Sequence, residues 1–358
     1  MTGDGKHKPI ISQPDFLKES FVPSPIMRRE NQLAEIKSAL IPFVRMTRPT
    51  HIWITGPSGS GKTLMARHTM NFMGERHNVS TLYINCWEHC SLHSIMDKIM
   101  RDLRMLGAEK ISTVFKLECF TRYLDKNFAT LVLDEIDQLM PKDRNLILYN
   151  LCDMNKLSLV CISSSRNCFF TLDDRIRSRL NPKLIEVPYY TTEDLRHILR
   201  QRAEASLFPE AWDDSVIEKI SALSRGDARV AIRTLWNAAV FAQNENCLEI
   251  KPLHLDKAWV SAKTIKKSVV LSALTIHHRL IHQIVAENAE SGILSRPIWQ
   301  LYLERCKRKK LQPVASRTFS LYLKQLMTKG LVRWERAAIK GNVRILRPAG
   351  NGNGNGFY

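Results

Sequence analysis

Residues 51–73 have the sequence HIWITGPSGSGKTLMARHTMNFM. The apolar, β-branched run Ile52–Thr55 predicts a short strand, the next residues match G-x-x-x-x-G-K-[ST], and a helical pattern follows. In such a loop the glycines let the backbone wrap closely around phosphate groups, and the start of the helix adds the positive end of its dipole. These residues therefore predict a nucleoside triphosphate site, with Lys62 at the terminal phosphates and Thr63 on a magnesium ion. The expected binding residues are Gly56, Pro57, Ser58, Gly59, Ser60, Gly61, Lys62, Thr63 and Leu64.

A second chemical motif, TLVLDEID, occupies residues 130–137. An apolar strand that ends in acidic residues puts them at the carboxyl end of a parallel sheet, where ligands bind in open α/β folds. We expect Asp134 to hold the magnesium ion, directly or through water, and Glu135 to orient and polarise the attacking water. The expected cofactors are thus ATP or ADP with Mg²⁺.

Strand and helix patterns alternate after the phosphate-binding loop, which is typical of a parallel sheet with helices on both faces. From Thr192, taken as an N-cap, the pattern becomes helical only. Strands are expected at Ile52–Thr55, Thr81–Asn85, Thr130–Asp134, Leu159–Ser163 and Lys183–Val187. The expected domains are a flexible tail (1–19), a nucleotide-binding α/β domain (20–190), a helical domain (191–262), a third domain (263–348) and a flexible tail (349–358).

Composition narrows the class of protein. The 358 residues are 44% hydrophobic and 25% charged, as in ordinary globular proteins, and suffice for two or three domains. Because the chain has no membrane-length apolar run and no signal-peptide core, we expect a cytoplasmic, nucleoid-associated protein with no membrane partner. The eight cysteines are scattered without C-x-x-C, which indicates reduced thiols.

The distribution of charge points to a polyanionic partner. The whole chain carries a net charge of +18, and residues 261–358, with 18 Lys and Arg against four Asp and Glu, account for +14 of it. A solvated basic surface usually interleaves acidic residues, and here they are nearly absent. The C-terminal quarter therefore has the electrostatic footprint of a nucleic-acid-binding domain.

The C-terminal pattern is three helices followed by two alternating strands with a turn at 340–342, which predicts a winged helix. Such domains also dock proteins, but the charge favours double-stranded DNA. The third helix, with Arg317 and Lys324, is expected in the major groove, and the basic cluster 305–310 is expected on phosphates. The expected DNA contacts are Lys307, Arg308, Lys309, Lys310, Arg317, Lys324, Lys340, Asn342 and Arg344.

Three further polar positions are candidates for a role in ATP hydrolysis. The expected strand 159–163 ends in serines, of which Ser164 or Ser163 could reach the terminal phosphate, although a plain strand-to-loop turn explains them equally well. Arg179 lies in an arginine-rich helix that could present an arginine to a neighbouring subunit's nucleotide, or simply form a solvated face. Arg229 opens a helix and could fold over the phosphates.

Taken in order, these motifs resemble those of the archaeal origin-recognition initiators, which are AAA+ ATPases. The resemblance spans residues 21–347. It rests on Phe21-Val-Pro23 with Arg29-Glu30, Tyr83-Ile-Asn-Cys86, Leu133-Asp-Glu-Ile-Asp137, Leu148-Tyr-Asn-Leu151, Gly226-Asp-Ala-Arg229 and the winged-helix pattern. It implies an α/β P-loop AAA+ domain, an α-helical lid domain and a C-terminal winged helix.

The resemblance also implies roles for single residues. Adenine contacts are implied for the segment 22–29, sensor 2 for Arg229, sensor 1 for Ser164 and an arginine finger for Arg179. The family more often has Asn at the sensor 1 position, so the shorter serine implies slow hydrolysis. The family's helical insertion for the minor groove falls between Cys86 and Thr130, around 101–116. The remaining expected nucleotide contacts are Val22, Pro23, Arg29, Tyr190 and Arg202.

The function implied is an ATP-dependent origin-binding initiator that helps to load the replicative MCM-type helicase, with slow ATP hydrolysis as a switch. Further initiator copies on DNA are a second implied partner. The alternatives are another DNA-associated AAA+ ATPase, such as a clamp-loader-like protein or a transposition helper, and a transcription regulator that uses nucleotide structurally. The Gly-Asp-Ala-Arg helix and the lack of a zinc motif argue against the former.

Overall fold

A computed structural model of the 358-residue chain describes residues 9–18, 21–46, 49–105, 111–272, 274–294, 297–309, 311–328, 331–336 and 344–348. The chain divides into an N-terminal unit, Met1–Leu255, and a C-terminal unit, Asp256–Tyr358. In the described parts, no helix is both long and apolar enough to span a bilayer.

The N-terminal unit is built on a five-stranded, all-parallel sheet, which confirms the α/β part of the expected fold class. Its strands are β1 (Ile52–Thr55), β2 (Ser80–Asn85), β3 (Ala129–Asp134), β4 (Leu157–Ser163) and β5 (Lys183–Glu186), in the order β2-β3-β4-β1-β5. The strands with neighbours on both sides, β1, β3 and β4, are buried along their whole length because helices cover both faces of the sheet. Asp134 ends β3 in register with Asn85, so both lie at the carboxyl edge.

Two apolar layers sandwich this sheet. Trp53 points into one layer, whereas its neighbours Ile52 and Ile54 point into the other, as strand alternation requires. The first layer is covered by α3 (Leu92–Asp102), α4 (Thr113–Lys126), α5 (Pro141–Leu151), α6 (Asn167–Phe170) and α7 (Asp174–Leu180), and the second by α1 (Glu30–Met46) and α2 (Lys62–His77).

Three helices after the sheet form the expected helical domain: α8 (Thr192–Ser206), α9 (Asp214–Ser224) and α10 (Ala228–Asn244). Thr191, not Thr192 as expected, caps α8, because the Thr191 hydroxyl accepts the Asp194 N–H and the Asp194 carboxylate accepts the Thr191 N–H. Asp213 and Asp227 cap α9 and α10, where their side chains accept the Val216 and Val230 N–H groups.

The N-terminal segment differs from the expected flexible tail. Ile10 is buried, and the Ile10 and Ile11 amides both donate to the Gln243 side chain of α10, at 3.2 and 3.3 Å. Ile11 also forms a bridge with Leu207, and a short 3₁₀ helix (Pro14–Leu17) buries Leu17. Burial of these two apolar side chains against the helical domain offsets the entropy lost by the polar residues around them.

The segment 263–270, at the start of the expected third domain, is helical. It lies within α11 (Pro252–Ser272), which starts in the N-terminal unit and continues in the C-terminal unit. Its residues include no Gly or Pro between 253 and 272, so no helix breaker is present there.

The C-terminal unit contains α12 (Ile276–Glu287), α13 (Pro297–Arg308) and α14 (Ser316–Thr328), with β6 (Ile293–Leu294), β7 (Val332–Arg336) and β8 (Arg344–Pro348). The strands form an antiparallel sheet in the order β6-β8-β7. β6 was not expected, because two residues are too few for an alternating pattern. The core of the unit packs around Tyr302 and Leu326, both fully buried.

Candidate functional site

A cavity of about 370 Å³ opens at the carboxyl edge of the five-stranded sheet. Two groups of its lining residues are distinguished here by their chemistry and their place in the chain. The phosphate end comprises Ser58, Gly59, Gly61, Lys62, Thr63, Leu64, Asp134, Glu135 and Arg229. The apolar end comprises Phe21, Val22, Pro23, Ile26, Met27, Ile198, Gln201, Arg202 and Ile232. All these residues belong to the N-terminal unit. The cavity therefore unites the two sequence motifs with three more distant segments.

The ammonium group of Lys62 is bonded to the first residues of the phosphate-binding loop. The Lys62 ammonium donates to the carbonyls of Gly56 and Pro57 at 2.7 and 2.6 Å. Burial lowers the pKa of Lys62 to about 8, an effect that the nearby Asp134 carboxylate partly opposes. A cation held at the turn by two neutral carbonyls is suited to an incoming phosphate oxygen.

Three hydrogen bonds hold the Asp134 carboxylate. Its Oδ2 accepts hydrogen bonds from the Thr63 hydroxyl at 2.7 Å and the Tyr83 hydroxyl at 2.8 Å, and its Oδ1 accepts the Glu135 N–H at 2.9 Å. A hydroxyl and a carboxylate side by side are the hard oxygen donors that Mg²⁺ prefers. The residues present therefore fit a magnesium ion, with Thr63 and Asp134 as its ligands.

Glu135 follows in a left-handed conformation with φ of 57°. This conformation ends β3 and starts the short 3₁₀ helix Ile136–Gln138, so Glu135 lines the cavity while its neighbour Ile136 is buried. A non-glycine residue held at positive φ is uncommon and concentrates at functional sites.

Ser163 ends β4 and Ser164 follows it, and their side chains have different partners. Ser163 is buried, where its hydroxyl accepts the Trp53 indole N–H at 3.0 Å and donates to the Ser165 carbonyl at 3.0 Å. Ser164 lines the cavity, but its hydroxyl donates to Asp137 and its amide donates to the same carboxylate at 3.2 Å. Both serines line the cavity, but Ser163 is buried and Ser164 is exposed.

The phosphate-binding loop touches the helical domain directly. The Ala228 amide donates to the Gly59 carbonyl at 3.1 Å, and a Cβ added at Gly59 would lie 2.0 Å from the Asp227 carboxylate. Asp227 itself caps α10 through the Val230 amide at 3.1 Å. Arg229, the next residue, faces the same cavity and is close enough to lower the pKa of Lys62. The loop and the start of α10 therefore move together or break this contact.

Two arginines expected at the nucleotide are engaged with backbone carbonyls. Arg29 is buried outside the cavity lining, where it donates to Ser60 O at 3.2 Å and Pro188 O at 2.6 Å and stacks on the Tyr190 ring at 3.9 Å. Tyr190 itself lines the cavity, against Gly61. Arg29 therefore stabilises the phosphate-binding loop without lining the cavity.

At the apolar end, Arg202 likewise bonds to backbone carbonyls. Its guanidinium donates to the carbonyls of Phe16 and Phe21, at 2.6 and 3.3 Å, and lies 4.7 Å from the Phe21 ring centre. Burial lowers the pKa of Arg202 to about 10. These bonds fix the segment that carries Phe21, Val22 and Pro23 over the cavity.

Sequence reasoning missed Tyr83, Asn85 and Gln201. Tyr83 and Asn85 were seen only as part of a motif, yet alternation along β2 puts both side chains on the face that meets the cavity. Burial and the Asp134 charge raise the pKa of Tyr83 above its usual range, so its hydroxyl keeps the proton that it donates. Gln201 had no signal beyond its place in a helical pattern.

The structure does not bring Arg179 into the cavity. On α7, its guanidinium donates to Asp153 at 2.8 Å and lies 5.0 Å from the exposed Tyr149 ring. Arg179 is itself partly exposed on this surface.

The basic positions of the C-terminal unit lie on two helices. Arg317 and Lys324 are exposed on α14, and Lys307, Arg308 and Lys309 are exposed at the end of α13. Arg305, from the same cluster, is instead paired with Glu287 of α12. Of the other expected contacts, Lys310, Lys340, Asn342 and the Arg344 side chain lie outside the described residues.

A separate cluster joins Glu245, Cys247 and the buried His254. The Lys251 amide donates to Nδ1 of His254 at 3.0 Å, so Nε2 keeps the ring proton and lies 3.1 Å from Glu245. Because both ring nitrogens are engaged, His254 offers no lone pair to a cation. The cluster fixes the turn between α10 and α11.

Comparisons with known protein families match both parts of the N-terminal unit. Residues 45–167 match a family model described as an AAA domain, and residues 196–259 match one described as a Cdc6 AAA+ ATPase-type lid domain. The first range contains the phosphate-binding loop and Asp134–Glu135, and the second contains Arg202 and Arg229.

The chain is similar along most of its length to curated proteins named ORC1-type DNA replication protein. The Pyrococcus furiosus protein is 27% identical, over 90% of this chain and 83% of its own length. ORC1-type DNA replication protein 2 of Thermoplasma acidophilum is 29% identical, over 88% and 83%. Among solved structures, the Aeropyrum pernix ORC1 protein in complex with DNA superposes with a TM-score of 0.82 at 24% identity, covering 96% of this chain and 94% of that one.

Proposed function

Because the chain belongs to the family of archaeal origin-recognition initiators, we propose that it is an ATP-dependent replication initiator that binds duplex origin DNA and helps to recruit the replicative helicase. The observation that carries this proposal is the contact between the phosphate-binding loop and α10. Through Gly59 and Ala228, the segment that holds the triphosphate is bonded to the helix that carries Arg229.

This contact supports a switch rather than a fast catalyst. A γ-phosphate bound at Lys62 also attracts the Arg229 guanidinium of the helical domain. Loss of this phosphate on hydrolysis therefore removes an attraction between the loop and α10. Ser164, shorter than the asparagine usual in the family and already bonded to Asp137, gives little help to the attacking water. We therefore propose slow hydrolysis whose main effect is a movement of α8–α10.

Within the phosphate end, each group has a proposed task. Thr63 and Asp134 hold magnesium, which when bound neutralises charge on the β- and γ-phosphates. Lys62 and Arg229 stabilise the charge that spreads over the phosphoryl oxygens in the transition state. Glu135 orients the water for in-line attack and polarises it. For Arg179, we propose that it acts only when a second copy is bound.

Single-turnover hydrolysis of ATP separates binding from chemistry. We expect wild type to hydrolyse slowly and Glu135→Gln to be roughly 100-fold slower or more, with ATP affinity unchanged, because a general base contributes on the order of 10²–10⁴. The matched control is Glu88→Gln, an acid on the loop after β2. Equal, negligible rates for wild type and Glu135→Gln would remove the enzyme claim and leave the binding claim intact.

For the C-terminal unit, we propose a winged helix that binds duplex DNA. Three helices and a small antiparallel sheet, with exposed Arg317 and Lys324 on α14, support this assignment. The net charge of +14 in residues 261–358 supports a polyanion as the partner. The Aeropyrum pernix protein of similar fold was solved with DNA bound.

Salt dependence tests the DNA claim. If several lysines and arginines displace counterions, affinity for duplex DNA falls steeply between about 50 and 200 mM salt. Replacing Lys307, Arg308 and Lys309 together by Ala should lower the salt slope by about one unit for each lost phosphate contact. Arg200→Ala, in α8 of the N-terminal unit, is the control. Binding that is insensitive to salt would contradict the proposal.

A further inference from the structure

The apolar end of the cavity has the shape and chemistry of a site for a flat heteroaromatic ring. Two parts of the chain line it: the segment with Phe21, Val22 and Pro23, and the helical domain with Ile198 and Ile232. Apolar side chains from both parts bury the faces of a ring but cannot distinguish one base from another. Recognition at this end therefore depends on the few polar groups that reach it.

Of the lining residues that segment 21–27 and α8 contribute, two have polar side chains, Gln201 and Arg202. Arg202 is engaged by the carbonyls of Phe16 and Phe21 and stacks on the Phe21 ring. Gln201 is half-buried, and within the described part of the chain its amide has no hydrogen-bond partner. A ring that covers this amide without bonding it would leave a polar group desolvated and unpaired, at a cost in affinity.

We propose that Gln201 is the specificity-determining residue of the nucleotide site and that it selects a 6-aminopurine. This inference rests on the function proposed above, since it takes the triphosphate to occupy the phosphate end. An amide presents one acceptor beside one donor. Adenine presents the complement, a 6-amino donor beside a ring-nitrogen acceptor, and such bidentate pairs are the usual way in which Gln and Asn recognise adenine.

The position of Gln201 on α8 links recognition of the base to the helical domain. Its neighbour Arg202 holds the segment with Phe21, and α8 packs against α10, which carries Arg229. A base bonded by Gln201 thus touches the same helices that sense the phosphates. A nucleotide without the 6-amino group loses this bond while keeping every phosphate contact.

The experiment compares two triphosphates that differ only at carbon 6, ATP and purine riboside 5′-triphosphate, which lacks the amino group. Affinities are measured by titration calorimetry for wild type, Gln201→Leu, Gln201→Glu and the control Glu204→Leu, which changes an exposed position on the same helix. Leucine keeps the volume of the glutamine side chain and removes both hydrogen-bonding groups.

We expect wild type and Glu204→Leu to prefer ATP by roughly tenfold, since a bidentate pair discriminates by that order. Gln201→Leu should bind both ligands about equally, because ATP loses two hydrogen bonds and purine riboside triphosphate loses only the one to its ring nitrogen. Gln201→Glu, which accepts from the amino group but cannot donate to the ring nitrogen, should keep part of the preference. A smaller loss of affinity for purine riboside triphosphate than for ATP shows that Gln201→Leu is folded and its phosphate end intact.

Two results would overturn the inference alone: wild type that binds both triphosphates equally, or Gln201→Leu with the preference of wild type. Wild type that binds neither triphosphate would overturn the proposed function together with this inference. The two failures are thereby distinguished by the wild-type measurement.

Discussion

The two ends of the nucleotide cavity are built in opposite ways. The phosphate end is polar and comes mainly from two short, contiguous motifs, in which Lys62, Thr63 and Asp134 are bonded to one another or to the loop backbone. The apolar end comes from segments around residues 21–27, 198–202 and 232, and its one guanidinium holds the backbone in place. The functional groups of the phosphate end are thus close together in the sequence. Those of the apolar end come together only when the chain folds.

This difference predicts which kind of substitution weakens nucleotide binding at each end. At the phosphate end, groups are close-packed and a single added atom collides with a carboxylate. At the apolar end, side chains are replaceable but the backbone must be held over the cavity. A steric collision at the phosphate end should therefore weaken nucleotide binding more than a loosened backbone at the apolar end.

The largest effect is expected from Gly59→Ala. The alanine would adopt φ of +79° and place its Cβ 2.0 Å from the Asp227 carboxylate, so both the loop and the cap of α10 must shift. Strain of a few kcal/mol corresponds to affinity for ATP roughly 100-fold weaker, measured by titration calorimetry.

Gly74→Ala is the matched control, because Gly74 lies inside α2 and its added Cβ would meet the nearest atom at 3.8 Å. This change should leave ATP affinity unaltered and raise the unfolding free energy by about 0.5–1 kcal/mol. An equal loss of affinity in both variants would show that the loop responds to glycine replacement in general and not to the collision.

At the apolar end, Arg202→Met should cause a smaller loss. The methionine keeps most of the volume but leaves the carbonyls of Phe16 and Phe21 without their donor, which costs about 1–3 kcal/mol of unfolding free energy. ATP affinity should fall about tenfold as the Phe21 segment loosens. Arg200→Met, exposed on the same helix, serves as control. Loss of affinity without loss of thermal stability would instead mean that Arg202 touches the nucleotide.

The pH dependence of ATP binding tests the phosphate end separately from the apolar end. The protonated Lys62 binds phosphate, and its pKa of about 8 means that the free protein loses this charge as pH rises through 8. ATP affinity should thus be constant below pH 7.5 and fall above 8, by at most about tenfold for each pH unit. Adenosine, which has no phosphate, should bind equally well throughout, and a flat profile for ATP would contradict the assignment.

The smallest effect is expected from Tyr83→Phe, which removes one of the donors to Asp134. Because Thr63 and the Glu135 amide still hold that carboxylate, Mg²⁺-dependent ATP affinity should weaken only about three- to fivefold. Tyr123→Phe, which breaks a hydrogen bond to Ser80 at the far end of β2, should change stability alone. Identical behaviour of the two variants would argue that Tyr83 has no part in nucleotide binding.

Sequence patterns were sufficient for the sheet and for the phosphate end. Five strands appeared within two residues of their expected bounds, because buried parallel strands are continuous apolar runs bounded by polar turns. Asp134 and Glu135 were placed at the right edge because a strand's carboxyl end is fixed by its direction. Helix limits such as the Thr191 cap and the continuation of α11 were missed, since caps and helix length depend on hydrogen bonds and packing rather than on composition.

Local sequence thus determines that this chain forms a phosphate-binding loop with an acidic strand end beside it, since each depends on residues close in the chain. The roles of Arg29, Arg202 and Gln201 arise only in the folded molecule. A guanidinium taken out of water must find acceptors, and which carbonyls are near Arg202 depends on contacts spanning more than 180 residues. Burial in the assembled fold therefore commits both arginines to the backbone and leaves the Gln201 amide facing the cavity.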